Sequence, residues 1–438
     1  MMVHRSSYIE LREYIDTVPV IETHVHYTSN SKKITEVFDL ILGYLKSDFR
    51  VAAERKDSHI IEYLADPNVP FRKRYEVFEK LYDRCRFTSY ARSMVRGLEY
   101  VWGIQEISYQ SLSLLNERMQ ERDNNLLWKT LARQNVKAQI ADIFVNRFFP
   151  IIHKEDSDYT ELSYFAFPLP VFHRLYSFSD LSVVQEITGT MFGELDEYVM
   201  AVDRLIEEGA AWGAVCIKDQ SAYFRTLRYA SPAKADAERV FNQLVSNPLA
   251  SVGTEEGKVL DDWLFHHFMR MAAKRDIPVQ IHTGLQDRIC LLEDRVGSDI
   301  TQVNATQLMP VLERHRDVRF DLFHASWPYM GEILSLAKNF PNVYIDMCWA
   351  HSIDPDYSVE LLKRAVKCLP KTKILGFGSD AFYMENGVGY LELAKDNIAK
   401  ALSDLVEENW LDMQSAKMLA FDWLYQNPKE MFLSSVSL

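Results

Sequence analysis

Short apolar and β-branched runs separated by helix-length segments recur along most of the chain, at residues 18–24, 136–145, 163–167, 213–217, 278–282, 319–324, 342–347 and 373–378. They are hydrophobic almost throughout instead of alternating with polar positions, which is the pattern of strands covered on both faces. Eight such runs with helical segments between them predict an α/β fold, a parallel (β/α)8 TIM barrel in preference to an open sheet.

Two spacings depart from a plain barrel. About 110 residues, 27–135, separate the first and second runs, with Val37, Leu40, Ile41, Tyr44, Leu45, Phe78, Leu81 and Tyr82 at helical intervals. This segment reads as a helical insertion on the first βα loop. A loop in that position lies over the C-terminal face of a barrel, so the insertion is a candidate lid or pocket wall. A milder extension covers residues 223–262. With no internal repeat, low-complexity tract or Pro/Gly/Ser-rich linker, residues 1–438 read as a single barrel domain carrying that insertion.

Composition narrows the class. At 47% hydrophobic and 12% aromatic residues there is material for a large core, and 16 glycines and 15 prolines are too few for a disordered or fibrous chain. The net charge of −13 offers no grip for nucleic acid or an anionic membrane. Five scattered cysteines, with no C-x-x-C pair, indicate neither a disulfide framework nor a structural zinc cluster and suit a reducing cytoplasm. The first residues lack the apolar segment of a signal peptide, and no apolar run is long enough to span a bilayer. A homo-oligomer stays open.

The first run ends in Thr23-His24-Val25-His26. Alternation along a strand puts residues i and i+2 on one side, so both imidazoles can address one ion. H-x-H alone is weak, because it is common by chance. Its weight comes from the other polar residues: Lys218 ends the fourth run, His282 the fifth, His324 the sixth, and Asp380 follows the eighth. All fall at the carboxyl ends of predicted strands, where barrels place their catalysts. Taken singly, a buried strand-end histidine is more often a hydrogen-bonded core residue than a ligand.

The order H-x-H, Lys, His, His, Asp on strands one, four, five, six and eight resembles the amidohydrolase superfamily of metal-dependent hydrolases, over the whole barrel from Val20 to Asp380. The stretches KDQSAYFRTL from Lys218, His282-Thr283-Gly284, His324-Ala325-Ser326-Trp327-Pro328-Tyr329, Asn342-Val343-Tyr344-Ile345-Asp346 and Asn427-Pro428-Lys429-Glu430-Met431-Phe432 are similar to the branch that includes domains fused to glutamine synthetase. That branch lies near uronate isomerases, which carry a comparable insertion after strand one. The resemblance implies one divalent ion on His24, His26 and Asp380, and a second on His282 and His324. Lys218 would be a bridging ligand only if carbamylated, since a free ammonium has no lone pair; left free, it could pair with a carboxylate or a substrate anion. An activated water would attack a polarised carbonyl, with Asp380 moving the proton. Lys218 and His324 are expected to share in catalysis with Asp380, and zinc suits the donor set, with manganese, iron or nickel open.

Softer candidates for substrate contact are Tyr223 and Arg225, the latter able to clamp a carboxylate bidentately. Trp327, Tyr329, Trp349, His351 and Asp354 are others, although aromatic residues at such places are often plain packing. His4, His59, His153, His173, His266, His267 and His315 fall on predicted helices or loops and read as solvent-exposed. Together these features describe a cytoplasmic metal-dependent hydrolase cleaving a C–N or C–O bond, of amide or lactone type, in a small anionic molecule. The alternatives are a uronate-isomerase-like isomerase or a metal-dependent decarboxylase, and a metal-binding interaction module whose insertion is a docking surface.

Overall fold

The computed structural model describes residues 2–27, 36–54, 57, 59–119, 124–143, 162–287 and 299–434. Eight strands form one parallel sheet in sequential order: β1 (Val20–Val25), β2 (Val136–Ala141), β3 (Ser163–Pro168), β4 (Ala214–Asp219), β5 (Val279–Ile281), β6 (Phe320–Leu322), β7 (Val343–Asp346) and β8 (Ile374–Leu375). Backbone bonds from Thr23 N to Phe377 O (3.0 Å), Asp380 N to His24 O (3.0 Å) and His26 N to Ala381 O (2.8 Å) tie β1 to the segment after β8, so the sheet curls into a nearly closed barrel. Every predicted run overlaps its strand, and β1, β3 and β4 extend one or two residues beyond the run. Several strands stop earlier than the hydrophobic pattern, because their carboxyl ends turn into the mouth: His324, Ala325, Ser326, Trp349 and Asp380 all have positive φ, between 47° and 63°. The expected end of the second strand, residues 144–145, lies outside the described residues.

Within the barrel wall, Ala138 and Ile140 on β2 and Cys216 on β4 belong to an apolar cluster with Ile21, Ala166 and Leu375, closed by Met431, Phe432 and Leu433 at the end of the chain. By strand alternation Ala138 and Ile140 share a face with Asp142, and Cys216 shares one with Lys218. The polar residues of the mouth therefore stand on a dry floor.

Between β1 and β2 lie the helices Val37–Leu42, Leu45–Ala52, Ile60–Ala65, Phe71–Cys85, Ser89–Trp102, Tyr109–Arg118 and Asn124–Arg133. Thr88 caps the Ser89–Trp102 helix by accepting from Ala91 N. That helix is pressed onto the Met384–Glu407 helix after β8 at a crossing of small residues. A Cβ on Gly97 would strike Glu385 O, and one on Gly389 would strike Ser93 O. Glycine at both positions lets the two backbones meet, and this fixes the insertion to a helix that begins just after Asp380. In the second extension, a turn at Ser221–Tyr223 leads to the helices Lys234–Val245 and Thr254–Arg275. No helix among the described residues is long and apolar enough to cross a membrane.

Three histidines expected at the surface are buried: His173, His266 and His315. His315 Nε2 donates to His266 Nδ1 (2.7 Å) while His266 Nε2 donates to Ala230 O (2.9 Å), so a packed neutral pair replaces solvent. Burial holds His266 down to about 4. His59 is exposed and His267 partly exposed, while the side chain of His4 and the whole of His153 lie outside the described residues.

Candidate functional site

The strand ends bring His24 in β1 and His26 just after it, Asp142 after β2, Lys218 in β4, His282 after β5, His324 after β6 and Asp380 after β8 to one end of the barrel, all buried except the partly exposed His26. His24 Nε2 lies 3.3 Å and His26 Nε2 3.2 Å from the same oxygen, Asp380 Oδ1. His26 Nδ1 donates to the backbone carbonyl of Asp142 at 2.9 Å, which directs its other nitrogen to the cluster. Asp142 also offers a carboxylate oxygen 4.0 Å from His24 Nε2, and the donor atoms of His24, His26 and Asp142 all lie within 4.8 Å of one another. Both ring nitrogens of His24 are buried without a hydrogen-bond partner among the described residues. Burial, Lys218 and His26 hold its pKa well below the ordinary value, so the ring is neutral and one of its nitrogens carries a lone pair. Burial raises the Asp380 carboxyl, but His26, His324 and His24 more than offset it, and the group stays ionised.

A second pair sits beside the first. His324 Nδ1 donates to Cys348 O (3.0 Å) and His282 Nε2 donates to Leu285 O (2.7 Å). Carbonyls only accept, so these two nitrogens carry the ring protons. The remaining nitrogens, His324 Nε2 and His282 Nδ1, face each other at 3.0 Å. Burial and the nearby Lys218 lower both pKa values, that of His324 to about 4, so neither ring is an imidazolium. Two bare lone pairs at this separation suit two ligands of one cation, at roughly 2.0–2.1 Å from each nitrogen.

Lys218 is buried with its ammonium 3.4 Å from the centre of the Phe323 ring, and burial lowers its pKa. Gly284, after His282, takes a φ of 76°, and a Cβ there would strike Trp327 O. This close approach is what lets the β5 and β6 loops meet behind the histidine pair.

The substrate candidates divide. Tyr223 comes to the mouth, its ring 4.7 Å from that of His282. Trp327 lies at the rim with Nε1 donating to Asp354 Oδ2 at 3.3 Å. Trp349 stacks on Tyr44 at 4.5 Å and meets His324 edge-on at 5.1 Å. His351 is not brought to the cluster: it is buried, its Nε2 donates to Gly376 O (3.0 Å), and Asn397 donates to its Nδ1 (3.3 Å). Arg225 is engaged elsewhere as well. Its guanidinium is buried between Asp261 (2.7 Å) and Asp262 (2.5 Å) and lies over the Tyr229 ring, leaving it no freedom to clamp a ligand.

Asp142 and Tyr44 join the site without a local signal in the sequence. Asp142 falls inside a run read as strand to residue 145, and nothing marked it as a strand end. Tyr44 read as one more apolar position of an amphipathic helix, yet its hydroxyl donates to Asp380 Oδ2 (2.5 Å) and to Asp380 O (2.8 Å). The insertion thereby reaches the carboxylate at the centre of the site.

The sequence profile described as amidohydrolase matches residues 146–421. The chain belongs to the amidohydrolase family. Protein fluG of Emericella nidulans is 25% identical over 206 residues, 45% of this chain; the match spans 23% of that relative's length. Among solved structures, the uronate isomerases of Thermotoga maritima (TM-score 0.73, 15% identity, 98% of this chain and 97% of that one) and Bacillus halodurans C-125 (TM-score 0.73, 16% identity, 98% and 96%) share the fold. So does a protein of Lactobacillus casei ATCC 334 described as a metal-dependent hydrolase (TM-score 0.62, 15% identity, 98% and 99%).

Proposed function

We propose that this chain is a metal-dependent hydrolase that uses an activated water to cleave a C–N or C–O bond, of amide or lactone type, in a small anionic substrate. The observation that carries the reading is the meeting of unprotonated nitrogens, His282 Nδ1 and His324 Nε2 at 3.0 Å, next to a His24 ring with no hydrogen-bond partner among the described residues. Buried polar atoms without partners are costly, and bound cations would take up the facing lone pairs of His282 and His324 and one nitrogen of His24. His24, His26 and Asp380, with Asp142 beside them, would hold one ion, and His282 and His324 a second. Lys218 would bridge them once carbon dioxide has added to its amine, and burial favours the neutral amine that this addition needs. A divalent ion there, with zinc the best match to imidazole and carboxylate donors, lowers the pKa of water and polarises a carbonyl.

The protein groups do the rest. Asp380 is ionised, has one oxygen against the two histidines of β1 and the other held by Tyr44, and so can take the water's proton and return it to the leaving group. The Tyr44 bond restricts the carboxylate to one orientation during that transfer. Tyr223, Trp327 and Trp349 wall the substrate, and the Tyr44 to Trp349 stack lets the insertion exclude solvent. A cytoplasmic setting belongs to this reading, supported by the free thiols of Cys85, Cys216, Cys348 and Cys368.

A second reading has its own support. The uronate isomerases match the fold at TM-score 0.73, above the 0.62 of the hydrolase, and an isomerase or decarboxylase could use the same ligands to steady an enediolate or carbanion. The deciding experiment screens amides, lactones and uronates with metal-restored protein in oxygen-18 water. Hydrolysis places one labelled oxygen in the new carboxylate. Turnover of a uronate to an isomer, or loss of carbon dioxide, without any hydrolysed product would favour the second reading.

A further inference from the structure

With Arg225 held by Asp261 and Asp262, a different cation must meet an anionic substrate. Lys46, in the insertion helix Leu45–Ala52, stands at the mouth. Its ammonium is 5.7 Å from the centre of the Phe382 ring, which itself stacks on the His26 ring at 4.8 Å. It is 5.9 Å from the ring of Tyr44, the residue bonded to Asp380. The ammonium is partly exposed and pairs with the Asp287 carboxylate at 3.1 Å, while Ser47 Oγ donates to the other oxygen of that carboxylate at 2.6 Å. Asp287 belongs to the loop after β5, whose backbone N approaches Tyr223 OH at 3.5 Å. Two donors from one turn of the insertion thus grip a carboxylate on the far side of the mouth.

We propose that Lys46 and Ser47 form the substrate-carboxylate subsite of the enzyme, and that Asp287 occupies it until a substrate carboxylate replaces it. The class of substrate is then a small molecule bearing a carboxylate a few carbon atoms from its reacting carbonyl, the reacting end lying at His26 and Asp380 and the acid end at the insertion. The exchange keeps the ammonium paired: one carboxylate leaves Lys46 and another takes its place. This rests on the metal-centre reading above, since it is that centre which defines where the reacting end lies.

The test is binding of dicarboxylates from malonate to pimelate, each against its half-amide, by calorimetry on zinc-treated protein. The paired compounds differ in one charge and hardly in shape. Wild type should prefer at least one diacid over its half-amide by about fivefold or more. Lys46→Met should remove the preference, Lys46→Arg should keep most of it, and Asp287→Asn should tighten the diacid by removing its competitor. A preference unchanged in Lys46→Met overturns the proposal, and so does a wild type that never distinguishes the pair. Zinc titration of the same samples reports separately on the metal reading: zinc binding with no diacid preference sinks the subsite alone, while absence of zinc binding sinks the centre.

Discussion

Nε2 of His324 and Nδ1 of His282 stand 3.0 Å apart with neither carrying a proton, because Cys348 O and Leu285 O take the protons of the opposite ring nitrogens. Facing lone pairs repel, and a bound cation turns that repulsion into attraction. Zinc should therefore stabilise the fold by mass action, by about 2.7 kcal/mol at a hundredfold excess over Kd. For a chain of this size that corresponds to a rise of about 3 °C in Tm. Thermal melts of chelator-treated protein with and without zinc measure it, and His282→Ala should shrink the rise. Identical melts would mean that the pair binds no ion.

Tyr44 connects the insertion to the reaction site. Tyr44→Phe keeps the stack on Trp349 and deletes only the hydroxyl that donates to Asp380. A hydrogen bond to a charged acceptor is worth about 1.5–3 kcal/mol. Turnover should fall by roughly tenfold or more with metal content unchanged, as expected of a residue that orients the proton carrier. Loss of metal in step with activity would make Tyr44 a support of the ligand set instead.

Arg225 belongs to stability. It pairs with Asp261 and Asp262, Asp261 also contacts His173, and His173 Nε2 lies 3.2 Å from Ser221 Oγ and 3.4 Å from Asp219, all buried. Arg225→Met leaves Asp261 and Asp262 short of a counter-charge and should cost about 3–5 kcal/mol in denaturant unfolding. Burial alone would lower the His173 pKa, but Asp261 and Asp219 more than offset it, and the net shift is upward. A raised folded-state pKa gives stability that is full below the unfolded value of about 6.5 and fades as pH rises through the folded value. His173→Gln should remove that decline from the stability curve above about pH 6.5; an unchanged slope would mean that His173 is neutral in the fold.

The glycine crossing offers a test of how the insertion is held. Gly97→Ala puts a methyl group against Glu385 O, and the overlap should cost about 1–3 kcal/mol even though alanine is the better helix former. Gly331→Ala, in the helix Met330–Asn339 with open space around it, should instead be neutral or stabilising by up to about 1 kcal/mol. Denaturant midpoints of the two variants decide it, and equal effects would remove the close approach as the anchor.

The barrel was legible because parallel strands are buried on both faces and stand out as apolar runs, and because His24, His26, Lys218, His282, His324 and Asp380 interrupt or end those runs with polar residues. What stayed hidden depends on partners far along the chain. Arg225 finds its carboxylates on a helix some 36 residues later, and His173 finds Asp261 88 residues on, so neither could be told from a loop residue. Tyr44 shows the converse: helical periodicity accounts for its buried ring but says nothing about where its hydroxyl points. The grip of Lys46 and Ser47 on Asp287 joins a helix of the insertion to a loop about 240 residues away and leaves no local pattern.

Counting metal in the protein bears on all of this at once. Wild type purified without chelator, and the same protein after zinc titration, should carry at least one divalent ion per chain by mass spectrometry. The double variant His24→Ala with His26→Ala should lose the ion of the β1 site while keeping its far-ultraviolet circular dichroism, because both rings lie at the mouth above the apolar floor of the barrel. A wild type that holds no ion under either condition, or a double variant with wild-type metal content, would contradict the assignment of this barrel mouth as a metal centre.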